Sequence, residues 1–415
     1  MTELTPADIG HKASAMYQEA GRSNILREDV CLPAVVIKQR ALDNNIRWMQ
    51  SYADACGVLL APHGKTTMTP AIFRRQAAGG AWAIGVGTAY QAKVAVGAGI
   101  PRVIIANQLI GRANMRAVSV LKAHSQAAIY CCVDSLENAR RLSDHFSAQD
   151  QVMDVLLELG IPGGRCGCRT TAEARALAQS ISVLPGLRLA GVEFYEGVIH
   201  SGNDRADLAV ITPFLTRVLA FVRALLDEKL LSDSEEVLLT GAGSVWYDIV
   251  AQRMRDAGLP DNVRFAIRPG CYITHDRGVY QQSQIALRER DALACTLGGD
   301  LASALELCAF VQSLPEPGLA IVGFGKRDVA FDTGLPQAVA HYREGIARPF
   351  AAGSMTTFDI MDQHAMVRYG EGVSLEVGDI LVFSTSHPCI TFDKWQKIYL
   401  IDDDYNTLEI LETRF

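Results

Sequence analysis

Lys65 is the one full charge in LLAPHGKTTMTP (residues 59–70), and it directly follows an apolar run. Three readings compete for such a lysine. A nucleotide P-loop needs Gly-x4-Gly-Lys-Ser/Thr, and the Gly57-to-Gly64 spacing is too long for one. A surface turn is the second. The third is an amine desolvated at the mouth of an apolar barrel: burial disfavours the ammonium form, lowers its pKa and leaves a nucleophile able to form a Schiff base with pyridoxal 5'-phosphate (PLP). The residues alone leave the last two open.

A second group lies far along the chain, in STSHPCITFDKW (384–395). Read as a strand, it points His387 and Cys389 the same way, so that both can grip one metal ion. Imidazole plus thiolate suits zinc. Two ligands make an open site at most, and a packed histidine beside an inert cysteine is the commoner use of such a pair. His364, in MDQHAMV, has no evident partner. TGAGSVWYD (240–248) offers small residues whose backbone N–H groups can converge on a phosphate, although it lacks the full Gly-x-Gly-x-x-Gly pattern.

These residues need elements to position them. Eight apolar or β-branched runs recur at 58–65, 82–88, 102–108, 128–135, 153–160, 187–195, 236–244 and 263–272, with alanine-rich, helix-favouring stretches between them. Such alternation predicts a parallel sheet covered on both faces, and eight units in this length match a (β/α)8 TIM-like barrel. An open doubly wound sheet satisfies the same pattern. In a barrel the C-terminal strand ends would carry Lys65, Thr88, Asn107, Asp134, Arg165, Tyr195, Gly241 to Ser244, Arg268 and Tyr272. After about residue 285, runs such as QIALRER, LELCAFVQSLP, GLAIVGFGK and DILVFSTSHPCITF, separated by Gly, Pro and Asp turns, predict an antiparallel β domain. The expected division is an N-terminal arm (1–29), a barrel (30–284) and a C-terminal β domain carrying the metal pair (285–415).

Composition narrows the function. The chain has 415 residues, 49% hydrophobic and 20% charged, with a net charge of -7 and no basic block, which argues against a nucleic-acid partner. No sequence run reads as the roughly 18 apolar residues of a membrane span, and the first residues do not read as a signal peptide. The expected location is the cytoplasm, with the ten cysteines as reduced and mostly buried thiols.

Taken in order, PHGKTTMTP, GIPGGRCG, GVEFYEG, IRPGCYITHD, VAFDTGLP, QHAMV and SHPC resemble the D-serine dehydratase and D-threonine aldolase family of PLP enzymes, the alanine-racemase-like fold-type III. The resemblance runs from about Pro33 to the C-terminus. It implies that Lys65 carries PLP covalently and acts in catalysis together with Tyr195. It further implies that Arg165 sits near the pyridine ring with Tyr195 packed against it, that Gly241, Gly243 and Ser244 form the phosphate loop, and that Tyr272 also contacts the cofactor. His387 and Cys389 match the metal ligands, for Zn2+ or alternatively Mn2+. This chain departs from the family pattern at Glu158, where an aspartate is usual, and at QHA, where a Glu-His pair is common. The implied activity is dehydration of a D-configured β-hydroxy amino acid such as D-serine to a 2-oxo acid and ammonia. A D-threonine aldolase giving glycine and an aldehyde is the runner-up, and a PLP-binding protein without turnover is the third reading. By analogy the chain is expected to form a homodimer.

Overall fold

Each of the eight apolar runs becomes a parallel strand. The computed structural model describes residues 12, 23–231 and 236–415. After a first strand, β1 (Ala34–Lys38), and a helix (Gln39–Cys56), the strands are β2 (Leu59–Leu60), β3 (Ile84–Val86), β4 (Arg102–Gln108), β5 (Ala128–Val133), β6 (Met153–Leu159), β7 (Leu187–Phe194), β8 (Val237–Gly241) and β9 (Val263–Ile267). Their order in the sheet is β2-β9-β8-β7-β6-β5-β4-β3, with a helix between each consecutive pair. The sheet curls until its edges meet: Trp82 N–H donates to the Leu60 carbonyl and Gly85 N–H to the Pro62 carbonyl, each at 2.8 Å, and His63 bridges Gly85 in parallel. Closure rules out the open doubly wound alternative.

Strand side chains alternate between faces, and here the alternation builds layers. Ala61, Ala83, Ile104, Leu156, Ala190, Leu238 and Ala266 form an interior cluster of mostly small residues. Two residues on from Leu156, Leu238 and Ala266 stand Glu158, Thr240 and Arg268, all buried. Just above its apolar filling, therefore, the barrel carries a polar layer. Residues of the opposite register, such as Val103, Ile105, Val155, Leu157 and Leu239, belong to the main core with the helices.

Three sequence expectations change. Ala34–Lys38 falls in the segment assigned to the barrel, yet β1 pairs antiparallel with β10 (Leu305–Glu316) and parallel with β17 (Lys397–Ile401). It is a central strand of the second sheet, which is therefore mixed and not purely antiparallel. That sheet also contains β11 (Leu319–Val322), β12 (Gln337–Arg343), β13 (Ile346–Ala347), β14 (Met355–Ile360), β15 (Ala365–Tyr369), β16 (Ile380–Ser384) and β18 (Thr407–Glu412). QIALRER, read as a strand, lies in the helix Val279–Arg290. The Asp276 carboxylate accepts from the N–H groups of Gly278, Tyr280 and Gln281 and so starts the helix there. The helix Asp204–Asp227 does hold an 18-residue window of mean hydropathy 1.7, apolar enough for a span by composition. Its Ile211, Phe214, Leu215, Val218, Val222 and Leu225 are buried in the main core, as in an outer helix of the barrel. Of the expected N-terminal arm, residues 1–11 and 13–22 lie outside the described residues. Lys12 donates to Asp328 Oδ1 at 2.8 Å.

Candidate active site

Where β2 ends, the chain makes a single 3-10 turn, Gly64–Thr66, that holds Lys65 at the barrel mouth. The His63 ring Nδ1 accepts from Lys65 N–H at 3.4 Å and caps the turn. Only glycine fits at position 64: a Cβ there would come within 2.8 Å of Phe73 and Ile84. Lys65 opens onto a cavity of about 420 Å³, which it shares with His63, Asn107, Arg165, Tyr195, Ser244, His387 and Cys389. Residues at opposite ends of the chain thus meet at one opening.

One wall is built for a flat, anionic partner. The Arg165 guanidinium lies 4.2 Å from the centre of the Tyr195 ring, so a cation and an aromatic face are presented together. Ser244 Oγ accepts from Gly270 N–H and Cys271 N–H, both at 3.1 Å, leaving its own O–H to donate. With both amides engaged by its oxygen, the Ser244 O–H is held in place as a donor suited to a phosphate oxygen. Gly270 permits this closeness, since a Cβ would stand 2.6 Å from Thr66 Oγ1 and 2.8 Å from the His63 carbonyl.

The opposite wall comes from the second sheet. His387 Nδ1 lies 2.8 Å from Asp332 Oδ2, the carboxylate-imidazole contact that orients a ligating ring and leaves Nε2 for a metal. Cys389 begins the short helix Cys389–Phe392 and places Sγ 3.5 Å from Thr66 Oγ1, beside the lysine turn. Hydrogen bonding from Cys271, and from His387 and Thr66 in addition, holds the Cys389 thiol well below its ordinary pKa. The hydrogen bond to Cys389 raises His387 to about 9. A thiolate beside an imidazole is a donor pair that fits a zinc-like ion.

Comparison with known proteins agrees with this architecture. Residues 37–225 match the model of the alanine racemase N-terminal domain, and residues 304–401 match that of a putative serine dehydratase domain. The D-threonine aldolase of Arthrobacter sp is 28% identical over 374 residues, 89% of each chain. The D-threo-3-hydroxyaspartate dehydratase of Delftia sp. (strain HT23) is 29% identical over 174 residues, 41% of this chain and 44% of that protein. The solved structure of D-threonine aldolase from Filomicrobium marinum superposes with a TM-score of 0.75 at 25% identity, covering 93% of this chain and 95% of that one. Together these matches support the D-serine dehydratase and D-threonine aldolase family of alanine-racemase-like fold.

The family's expected residues divide into those the fold brings together and those it does not. Lys65, Arg165, Tyr195, Gly243, Ser244, His387 and Cys389 all line the cavity. Lys65 is exposed, so protein burial does not desolvate its amine as the sequence reading supposed. The pair His387 and Cys389 does not sit on a strand either: β16 ends at Ser384, and a loop and helix start bring both side chains to the cavity. Gly241 is a packing glycine, because a Cβ would stand 2.3 Å from the Phe194 ring. The Gly243 and Ala242 N–H groups donate to the buried Glu196 carboxylate, at 3.0 and 3.1 Å, and are committed there. Tyr272 is buried away from the cavity, with its hydroxyl accepting from Gln76 at 3.1 Å. His364 is exposed at the turn between β14 and β15.

Beneath the cavity lies a layer for which sequence reasoning assigned no role. The buried Arg268 guanidinium donates to Glu193, and to Thr240 Oγ1 at 3.0 Å. Glu158 accepts from Gln108 at 2.5 Å. Glu158, Glu193 and Cys132 place ligand atoms within 4.8 Å of one another. Two carboxyls and one guanidinium leave a carboxyl without a counter-charge. Burial first, and then the Glu193 charge, pushes Glu158 up to about 8. A charged residue near the C-terminal end of an otherwise apolar strand, as Glu158 in MDVLLEL, is the signal that could have revealed this layer.

A raised carboxyl pKa has a definite consequence for stability. Between the ordinary carboxyl range and about 8, the folded chain keeps a proton on Glu158 that the unfolded chain has released. This contribution to stability is complete below the ordinary range and is lost as pH rises through the folded value. Glu158→Gln, isosteric and uncharged, should remove that dependence. Melting temperatures at pH 5 to 8 should show the variant gaining on the wild type with rising pH, and a constant difference would contradict the assignment.

Proposed function

We propose that this chain is a PLP- and divalent-metal-dependent lyase acting on D-configured β-hydroxy amino acids, and that its reaction is elimination of the β-hydroxyl to give a 2-oxo acid and ammonia. The observation that carries the proposal is the meeting at one cavity of Lys65 from the barrel with His387 and Cys389 from the loop and helix start that follow β16. The dehydratase and aldolase names of its relatives support the substrate class.

Bound PLP supplies an electron sink for the charge left at the substrate Cα, and a divalent ion on His387 and Cys389 supplies a Lewis acid for the β-oxygen. The residues of the chain do the rest. Ser244 O–H, its oxygen positioned by the N–H groups of Gly270 and Cys271, would hold the cofactor phosphate, and Tyr195 with Arg165 beside it would hold the ring. Lys65 Nζ takes the Cα proton. Asp332 keeps the His387 ring in the orientation that presents Nε2. Imidazole with thiolate favours zinc over manganese. A homodimer in the cytoplasm is part of the same proposal.

The second reading is retro-aldol cleavage, in which a base takes the β-hydroxyl proton and Cα–H stays intact. It is favoured by the aldolase name of a relative matched along 89% of this chain. A product assay separates the two. Wild type and Cys389→Ala would be incubated with D-serine or D-threonine, PLP, and zinc or manganese. The expected result is 2-oxo acid plus ammonia, with the rate reduced at least about 100-fold in the variant, the scale of losing a Lewis acid worth several kcal/mol. Glycine plus aldehyde would establish the aldolase. PLP binding without product from either substrate would sink the substrate class.

A further inference from the structure

Ten cysteines are distributed over the chain and all are free thiols. Among the described residues one pair is in sulfur contact: Cys271 Sγ and Cys389 Sγ are 3.5 Å apart, although 118 positions separate them in sequence. Cys271 opens the 3-10 turn that follows β9, and Cys389 opens the short helix that follows β16. Both residues line the cavity at the barrel mouth, with Cys389 the more exposed of the two and Cys271 buried beside it. Of the other eight, Cys166 also lines the cavity; Cys56, Cys131, Cys132, Cys168 and Cys308 are buried and do not line it, while Cys31 and Cys295 are exposed.

We propose that Cys271 and Cys389 form a redox-modification site, at which a peroxide joins them as an intramolecular disulfide and so withdraws Cys389 from the metal. The loss of metal rests on the reading of Cys389 as a ligand; formation of the disulfide does not. In the first step the Cys389 sulfur attacks one peroxide oxygen, the O–O bond breaks, and water leaves as a sulfenic acid forms on Cys389. The Cys271 sulfur then attacks the Cys389 sulfur, the S–O bond breaks, and a second water leaves. Two thiols are oxidised by two electrons in all, and one peroxide is reduced to two waters. Sulfurs already in van der Waals contact need side-chain rotation to reach the roughly 2.0 Å of a disulfide bond. Cys271 is then the resolving thiol that keeps oxidation of Cys389 reversible, since a sulfenic acid without a partner proceeds to the irreversible sulfinic acid.

The test uses the zinc- and PLP-loaded wild type treated with hydrogen peroxide. Peptide mapping under non-reducing conditions should find Cys271 linked to Cys389, a chromophoric chelator should detect one zinc released per chain, and dithiothreitol should restore both zinc binding and activity. In Cys271→Ser and Cys271→Ala, peroxide should produce Cys389 sulfinic acid, with an activity loss that dithiothreitol does not reverse. Oxidation of other cysteines with no 271–389 linkage overturns the proposal. So does loss of zinc from either variant under reducing conditions, because Cys271 would then be a ligand and not a resolving thiol. Linkage with zinc retained keeps the modification site but removes Cys389 from the metal, and that outcome counts against the proposed function.

Discussion

Lys65→Ala should lose activity by at least about 10²- to 10⁴-fold, the range for removal of a positioned acid–base group, while the fold stays intact. Lys65 is exposed on a turn held by His63 and by glycine packing, so its removal leaves the core untouched. Stability should therefore change by less than about 0.5 kcal/mol. Hydride reduction of the wild type with PLP should fix the cofactor on the peptide containing Lys65, and the variant should retain none. An active Lys65→Ala, or cofactor fixed on another lysine, would end the assignment. Because the amine is exposed before any cofactor is bound, this variant separates chemistry from folding cleanly.

Arg268→Ala should be the most damaging change to stability in the barrel, costing about 3–5 kcal/mol. Arg268 and Glu193 are both almost completely buried and joined by a hydrogen-bonded ion pair, with Thr240 Oγ1 and the Phe194 carbonyl taking further guanidinium protons. Removing the arginine strands a carboxylate that already has one oxygen without a partner. Urea denaturation should show the loss, and a second substitution, Glu193→Gln, should recover most of it by removing the stranded charge. Equal destabilisation in the single and double variants would mean that lost packing, not the uncompensated charge, dominates.

The eight strands were legible because apolar runs of strand length, interrupted by helix-favouring alanine-rich stretches, have few other solutions. Lys65 was legible because its position after such a run puts it at a strand end. What resisted reading depended on geometry between distant segments. VVIK and QIALRER are apolar enough for either domain or either periodicity. Ladder partners 268 and more residues away decided the first, and three hydrogen bonds to the Asp276 carboxylate decided the second. Tyr272 follows the same Arg-Pro-Gly turn that aims Gly270 and Cys271 at the cavity, yet its own side chain turns inward to Gln76.

The sequence by itself determined the strand–helix rhythm, the place of Lys65 at a strand end and the order of the family's motifs, because each is a property of residues close together in the chain. The tertiary structure alone decided closure of the barrel, the buried layer of Glu158, Glu193 and Arg268, and the convergence of Lys65, His387, Cys389 and Cys271. Those arrangements depend on strand register and on pairing between segments far apart in the chain, such as β1 with β10 and β17, and no local propensity encodes a register.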